Sequence, residues 1–228
     1  MTDLANTGER ILTEIETPLM IERHFLAYQF AKNYCKGKMV LDIGCGEGYG
    51  SDYLAGFAKN VTAIDYDSSA IDYAKSKYPK ANVAFRRLDV KDLGSLAGKF
   101  DVICCFQVIE HIADTDHFLK NIQELLAGDG ILIVSTCNRL DSSPGSDTPL
   151  NKFHVKEYLF SEFAELLGKY FPFVNVTGLK RSAKLNFYRR LKKIGILKQL
   201  YANSGRGSFK IVSNNLEGAL DFIAVCRK

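Results

Sequence analysis

The feature that most constrains the fold of this chain is a glycine-rich loop directly after a short apolar segment. Residues 38–43 have the composition of a buried strand, and Gly44, Gly46, Gly48 and Gly50 follow at alternate positions. Glycines at this spacing give the freedom that a tight strand-to-helix turn needs, and they let a ligand approach the main chain. The amide groups that open the next helix favour an anionic ligand group. The sequence therefore predicts a nucleotide-like ligand at this first strand-to-helix turn.

Apolar strand-like segments alternate with helix-like segments along most of the chain. Thr17-Pro18 predicts the start of a helix that ends near Tyr34, because a hydroxyl cap followed by proline is a common helix start. Strands are predicted over residues 38–43, 60–65, 82–88, 100–106, 130–135, 171–177 and 221–226. Helices are predicted near residues 50–58, 68–77, 115–126 and 161–167. This alternation is typical of an α/β fold with a doubly wound, mostly parallel sheet.

Acidic residues downstream of the loop narrow the class of ligand. A dinucleotide fingerprint requires a small residue at the sixth position from Gly44, where this chain has Tyr49. Asp42 suits a ligand that carries an ammonium group. Asp65 ends the second strand, where a carboxylate can accept both hydroxyls of a ribose. Asp89 ends the third strand, where its side chain or the next amide can meet an adenine edge.

These segments resemble, in order and spacing, the motifs of class I S-adenosylmethionine-dependent methyltransferases. Residues 40–50 resemble motif I, residues 63–67 motif II, residues 88–90 motif III and residues 100–111 motif IV. The resemblance implies a seven-stranded sheet whose last strand is antiparallel, with S-adenosylmethionine as the methyl donor and S-adenosylhomocysteine as the product. It also implies a set of cofactor-binding residues: Asp42, Gly44, Cys45, Gly46, Gly48, Asp65, Tyr66, Asp89, Val90, Phe106 and Gln107.

Within that resemblance, the chain is expected to be a single methyltransferase domain of 228 residues. We expect residues 1–37 to be an N-terminal helical cap, residues 38–179 and 217–228 a Rossmann-like core, and residues 180–216 a basic insert. No apolar run reaches the ~18 residues of a membrane-spanning helix, and the polar first ten residues lack a signal-peptide pattern. The six cysteines form no CxxC pair and are expected to be free thiols. These features predict a cytoplasmic protein.

Two histidines are the candidate catalytic residues. His111 stands just beyond the fourth strand, where ligands sit in this fold. His154 lies in residues 151–158, which resemble a stretch found after the fifth strand in methyltransferases of bacterial surface-sugar and natural-product pathways. Either histidine is a candidate general base for a hydroxyl acceptor, although Glu110 and His111 are as readily explained as residues that cap and orient the loop.

His24 and Tyr28 form a second candidate pair on the N-terminal helix. Their spacing of four places them on one helix face. That face either closes over the cofactor or packs in the core.

A divalent metal is an additional, less favoured prediction. Some relatives, including small-RNA 2′-O-methyltransferases and quinone O-methyltransferases, hold a metal through Glu-x-x-Glu-His after the fourth strand. Glu110, His111 and His154 form the tentative ligand set here. The first glutamate of the motif is replaced by Gln107, which weakens the match because hard cations prefer carboxylates.

Charge is concentrated in one segment of the chain. Residues 177–216 contain ten basic residues and no acidic one, whereas the rest of the chain is mildly acidic. Apolar residues recur at roughly helical spacing among the cations of residues 180–201. Three interpretations stay open: a helical lid, which we favour, a surface for an anionic or phosphorylated acceptor, and a helix lying on an anionic membrane surface.

The sequence thus predicts an S-adenosylmethionine-dependent methyltransferase that methylates an oxygen of a small molecule such as a sugar, saccharide or natural product. An RNA 2′-O-methyltransferase is one alternative, suggested by the basic insert and the partial metal motif, although nucleic acid is not the expected partner. A non-catalytic S-adenosylmethionine-binding module is the other. The sequence gives no oligomeric state.

Overall fold

The computed structural model describes residues 11–191, 201 and 203–228. The helices are α1 (Pro18–Cys35), α2 (Tyr49–Ala55), α3 (Ser68–Lys77), α4 (Thr115–Leu125), α5 (Arg139–Ser142), α6 (Phe160–Gly168) and α7 (Ala183–Leu191). The strands are β1 (Met39–Ile43), β2 (Asn60–Asp65), β3 (Val83–Arg87), β4 (Phe100–Phe106), β5 (Leu126–Cys137), β6 (Phe173–Arg181), β7 (Phe209–Val212) and β8 (Asp221–Arg227). Short 3-10 helices cover Val90–Ser95 and Ile109–His111.

The strands form one sheet in the order β3-β2-β1-β4-β5-β8-β6-β7. Strands β1 to β5 pair in parallel, and β8 runs antiparallel between β5 and β6. The doubly wound sheet and its antiparallel last strand are therefore confirmed. The predicted count of seven strands is wrong, because the described residues form eight: β7 pairs antiparallel with β6 at the sheet edge.

The sheet is buried on both faces, which explains the continuous apolar run of β4. Alternate residues of each central strand face opposite layers: Leu41 and Ile103 pack in a cluster with α4 and α6, whereas Val40 and Val102 pack in a cluster with α1, α2 and α3. Side chains alternate in this way along any strand, so a strand that is covered on both sides must be apolar throughout.

The start of α1 agrees with its sequence signals. The Thr17 side chain accepts a hydrogen bond from the amide of Met20, and Pro18 occupies the first helical position. Gly37 follows the helix with φ of +70°, a backbone conformation that glycine adopts without strain. Helix α1 is thereby aimed across the sheet, where it packs against α2 and β4.

The basic insert is only partly helical. Helix α7 confirms the prediction for its first part, but residues 209–212 form strand β7 instead. Alternation of Phe209 and Ile211 with polar neighbours fits an edge strand better than a helix. Lys192, Lys193 and Lys198, which the prediction included, lie outside the described residues. No helix in the described ranges is long and apolar enough to cross a membrane.

Candidate active site

The sheet order creates a crevice between the carboxyl ends of β1 and β4. The chain leaves β1 towards β2 and β3 on one side and leaves β4 towards β5 on the other, so the loops after β1 and β4 diverge. Ligands bind at such switch points in open α/β sheets. A cavity of about 690 Å³ lies here. Its lining includes nine of the eleven predicted cofactor residues: Gly44, Cys45, Gly46, Asp65, Tyr66, Asp89, Val90, Phe106 and Gln107.

The glycine loop forms one wall of the cavity. Gly44 and Gly46 have φ of +73° and +53°, which side-chain-bearing residues rarely adopt. A Cβ at Gly44 would stand 2.4 Å from Val108, whereas a Cβ at Gly46 would meet no atom within 4 Å. The space above Gly46 is therefore open cavity, as a ligand that passes over the backbone requires. Gly48 serves packing instead, since a Cβ there would stand 2.8 Å from Ala74.

Asp42 lies behind the loop and does not line the cavity. Its carboxylate accepts hydrogen bonds from Ser51 Oγ at 2.6 Å and from the Tyr28 hydroxyl at 3.4 Å. Burial raises the pKa of Asp42 to about 7, while the hydrogen bonds from Ser51 and Tyr28 oppose the rise. This position gives no support to the predicted contact with a ligand ammonium. Asp42 instead fixes the start of α2 and the ring of Tyr28, which does line the cavity.

The predicted ribose and adenine contacts are on the cavity wall. Asp65 Oδ2 accepts the Gly46 amide at 2.9 Å, and Oδ1 accepts the Asp67 amide at 3.0 Å. These bonds fix the carboxylate on the cavity wall, which Asp65 lines. Asp89 accepts the Lys91 amide at 3.0 Å and thereby caps the 3-10 helix. Tyr66 stands at the rim, with 60% of its surface exposed.

The end of β4 brings His111 to the cavity. Gln107 has φ of +54°, a conformation that is uncommon outside glycine and often found at functional sites. Its Nε2 donates to Ser135 Oγ at 3.2 Å. The backbone turns sharply there and places the Ile109–His111 3-10 helix beside the cavity, which His111 lines. His111 Nδ1 lies 3.0 Å from the carbonyl oxygen of Phe153.

His154 lies next to His111 but does not line the cavity. The two rings meet edge to face with centroids 4.9 Å apart. His154 Nδ1 is 2.7 Å from Glu157 Oε1, and its Nε2 is 2.9 Å from Asn151 Nδ2. Both ring nitrogens are therefore engaged within the loop after β5. This placement argues against the predicted direct catalytic role of His154.

The predicted metal set is not assembled among the described residues. The structure draws Glu110, Cys137 and His154 together instead, with one ligand atom of each within 4.8 Å of the others. Burial raises the pKa of the Glu110 carboxyl to about 8 and raises that of the Cys137 thiol further. His154 Nδ1 is already paired with Glu157. Hard divalent cations prefer several oxygen ligands, so these residues do not fit the predicted site.

The far side of the cavity is formed by residues that the sequence did not single out, apart from His24. Arg23 donates to Asp221 through Nε at 2.8 Å and Nη2 at 2.6 Å, and both residues line the cavity, as does His24. Burial lowers the pKa of His24 to about 4, so its imidazole is neutral near pH 7. No local pattern predicts the Arg23–Asp221 pair, because its members are 198 positions apart.

The segment before α1 passes over the cofactor end of the cavity, where Ile11 lines the wall. The Thr13 hydroxyl donates to Glu47 Oε1 at 2.5 Å, and the Thr13 amide approaches the same oxygen at 3.3 Å. Glu47 is 1% exposed, and Lys77 Nζ lies 4.0 Å from its carboxylate. These contacts tie the segment to the glycine loop.

A second, separate pocket of about 450 Å³ is lined by residues of α5, β6 and α7 and of the turn before β8. Its lining includes three cations, which are Lys180, Arg181 and Arg189. Arg181 is paired with Asp141 at 3.2 Å. The start of the basic insert therefore faces a polar pocket that shares no lining residue with the cavity.

Together the fold and the cavity define a class I, Rossmann-like S-adenosylmethionine-binding protein. Comparison with known proteins agrees. A family described as a methyltransferase domain matches residues 35–170, which is more than half of the chain. The chain belongs to the S-adenosylmethionine-dependent methyltransferase family.

Individual relatives are similar over the same region. A protein of Mycobacterium tuberculosis described as a "Probable S-adenosylmethionine-dependent methyltransferase" is 39% identical over 165 residues, which cover 72% of this chain and 60% of the relative. This chain thus spans less than two thirds of that protein's length. A ubiquinone biosynthesis O-methyltransferase of Coxiella burnetii is 32% identical over 71% of this chain and 68% of its own.

Among solved structures, the N-methyltransferase NodS from Bradyrhizobium japonicum in complex with S-adenosylhomocysteine is similar. Its TM-score is 0.61 at 18% sequence identity, and the match covers 94% of this chain and 89% of NodS. At that identity the likeness concerns the fold alone.

Proposed function

We propose that this chain transfers the methyl group of S-adenosylmethionine to a hydroxyl oxygen of a small molecule. The observation that carries the proposal is one continuous cavity that holds both sets of candidate residues. It is lined at one end by Asp65 and Asp89, and at the other by Arg23, His24 and His111. A cavity of about 690 Å³ is within the usual size range of small-molecule sites.

The methyl carbon of a sulfonium is already activated, so the protein mainly has to align the acceptor and exclude water. The acceptor oxygen attacks that carbon, the carbon–sulfur bond breaks, and S-adenosylhomocysteine leaves. The hydroxyl proton must go to a base, and His111 is the candidate on the wall. A Phe153 carbonyl at 3.0 Å holds its Nδ1 hydrogen, which assigns proton acceptance to Nε2.

Two features support an acceptor that carries hydroxyl groups together with an anionic group. The Arg23–Asp221 pair presents donors and acceptors to the cavity, as a polyhydroxylated acceptor needs. Lys180 and Arg189 line the second pocket together with Asp141 and Glu217, and these cations suit a phosphate or carboxylate of the acceptor. The Coxiella relative's name describes O-methylation in ubiquinone biosynthesis, which favours oxygen as the acceptor atom.

Calorimetry and turnover test the proposal in two stages. S-adenosylmethionine and S-adenosylhomocysteine are titrated first, and absence of binding by both overturns the proposal. Methyl transfer from labelled S-adenosylmethionine is then measured with a panel of neutral and phosphorylated sugars, quinols and phenols. We expect transfer to a hydroxyl that a chelator does not diminish. The His111→Gln variant should lose about 100-fold or more in kcat, with cofactor affinity unchanged.

A further inference from the structure

A polar cluster lies behind His111 in the loop that joins β5 to α6. It contains Asn151, His154 and Glu157, and the reaction above uses none of them directly. Glu157 is 1% exposed and accepts the Ser142 hydroxyl at 2.6 Å. A buried carboxylate that is bound so closely fixes its neighbours strongly.

The contact between the cluster and the active site is the carbonyl of Phe153. A carbonyl oxygen can only accept a hydrogen bond, so the His111 Nδ1 that lies 3.0 Å away must carry a hydrogen. In a neutral imidazole the lone pair is then on Nε2. The position of the Phe153 carbonyl thus selects the tautomer of His111. If the carbonyl moves, its constraint on the tautomer is lost.

The Phe153 peptide is held on its amide side by Asn151. The Phe153 amide donates to Asn151 Oδ1 at 3.1 Å, which fixes the orientation of the Asn151 side-chain amide. Asn151 Nδ2 must then face His154 Nε2, 2.9 Å away, and donate to it. His154 Nε2 is therefore an acceptor and carries no hydrogen.

The other side of His154 is held by Glu157. Burial alone would raise the pKa of Glu157, but hydrogen bonds from Ser142, Ser143 and His154 lower it below the ordinary value. An ionised carboxylate only accepts, so the His154 Nδ1 at 2.7 Å carries the hydrogen. All three contacts are satisfied by one arrangement, in which His154 donates from Nδ1 and accepts at Nε2.

We propose that His154 is a positioning residue, which with Asn151 and Glu157 holds the Phe153 carbonyl that sets the tautomer of His111. The two histidine rings also pack edge to face, which limits rotation of His111. The backbone beyond is pinned independently, since the amides of Val155 and Lys156 donate to the Glu110 carbonyl at 2.8 and 3.1 Å. The consequence for catalysis rests on the proposed base role of His111, but the tautomer does not.

Nuclear magnetic resonance of the ¹⁵N-labelled imidazoles tests the tautomer directly, and the chain has only four histidines to assign. We expect wild-type His111 to carry its hydrogen on Nδ1 and both His154→Ala and Asn151→Ala to give a mixture of tautomers. Asn151 is exposed, so its variant should fold even if His154→Ala does not. Lys80→Gln, which removes a surface ion pair with Asp52 on another part of the fold, is the control.

Turnover supplies the second measurement. Both alanine variants should lose about 10- to 100-fold in kcat, part of the contribution of a general base, with the Kd of S-adenosylmethionine within twofold of wild type. The acidic limb of the pH profile of kcat, which reports the protonation of the proposed base, should shift with them. Asn151→Asp keeps the acceptor for the Phe153 amide but replaces the donor to His154 Nε2 with a second acceptor, so it should recover only part of the loss.

The outcomes separate this inference from the proposed function. An unchanged His111 tautomer in both alanine variants overturns the positioning role, whatever the turnover. A mixed tautomer with unchanged kcat leaves the positioning intact but removes the base role of His111. Loss of cofactor binding in both variants would assign the cluster to general folding instead.

Discussion

The two ends of the cavity are built in different ways. At the cofactor end, the contacts join residues close in sequence: Ser51 with Asp42 is nine positions apart, and Gly46 with Asp65 is 19. At the acceptor end, Arg23 reaches Asp221 across 198 positions. The cofactor end is thus assembled by two neighbouring strand-to-helix turns, whereas the acceptor end depends on docking of α1 against β8.

This difference determines which residues of the cavity can be substituted without disturbing the fold. The cofactor end must match one ligand, and its glycines and carboxylates are constrained by backbone geometry. The acceptor end is formed by side chains on separate elements, which can change without disturbing the turns. Substitutions at the cofactor end should therefore weaken binding of S-adenosylmethionine. Substitutions at the acceptor end should weaken binding of the acceptor.

The largest expected effect concerns Asp42, which braces the cofactor end. Its folded pKa of about 7 is above the ordinary 3.8, so the folded protein holds this proton more tightly than the unfolded chain does. The associated stability is fully present below pH 3.8 and is lost as the pH rises towards 7. At 1.36 kcal/mol per pKa unit, the loss is at most about 4 kcal/mol.

Urea unfolding of the ligand-free protein between pH 4 and 8 measures this effect. The Asp42→Asn variant should lose less stability over that range than wild type. Its remaining slope should combine a loss from Glu110, whose pKa is raised to about 8, with an opposing gain from His24, whose pKa is lowered to about 4. Asp52→Asn, a surface change on α2, is the matched control and should keep the wild-type slope. An equal slope in all three proteins would contradict the prediction.

The second-largest expected effect concerns Gly46, where loss of ligand space can be distinguished from backbone strain. Gly46→Ala places a methyl group in the open cavity at φ of +53°, where no protein atom would stop it. We expect binding of S-adenosylmethionine to weaken by about 2–3 kcal/mol because the methyl group takes ligand space, whereas the left-handed φ should lower the stability of the fold. Gly37→Ala has a similar φ of +70° and equally open surroundings, but lies outside the cavity.

Titration calorimetry and thermal unfolding of these two alanine variants make the comparison. Both should lose similar stability, since both place a side chain in a left-handed conformation. Only the Gly46 variant should lose affinity for the cofactor. Equal affinities would mean that the ligand does not pass over Gly46.

The features that can be predicted from the sequence lie mainly at the cofactor end of the cavity. The strands and the glycine loop are predicted because their signals are local: a buried parallel strand must be apolar, and a left-handed turn needs glycine. Asp42 shows the limit of this reasoning, because its conspicuous position suggested a ligand contact while the fold turns its carboxylate towards Ser51.

The acceptor end was much harder to predict. His111 was found because it directly follows β4, and its role stays a proposal. His154 was assigned to the same pocket, but the loop after β5 turns its ring behind His111. Strand β7 was missed because four residues carry too weak a period to outweigh the helical spacing before them. Contacts set by tertiary docking leave no local pattern.

The Arg23–Asp221 pair tests whether the acceptor end acts separately from the cofactor end. Arg23→Gln leaves Asp221 without its partner in a setting where the Arg23 side chain is only 21% exposed. We expect a loss of about 2 kcal/mol in stability, reduced from the fully buried case by this exposure. The KM for the acceptor should rise severalfold while the Kd of S-adenosylmethionine stays within twofold.

The double variant Arg23→Gln/Asp221→Asn removes both charges and should be more stable than the single one. Arg139→Gln is the control, because Arg139 is 19% exposed and pairs with Glu162 at 3.6 Å away from the cavity. If the Arg23 variant weakens cofactor binding as much as acceptor binding, the two ends are not separable.

The smallest expected effect concerns the segment that joins the two ends. Thr13→Ala removes the hydroxyl that donates to the buried Glu47, while Ile11 of the same segment lines the cavity. Losing a hydrogen bond to a charged group costs about 1 kcal/mol or slightly more at this partly exposed site. The segment should therefore open more often, and S-adenosylmethionine should dissociate about fivefold faster in stopped-flow measurements.

Thr17→Ala is the matched control, since Thr17 caps α1 through the Met20 amide. This variant should lower the melting temperature without changing the dissociation rate. Equal rates for both variants would mean that the cofactor leaves by a path that this segment does not cover.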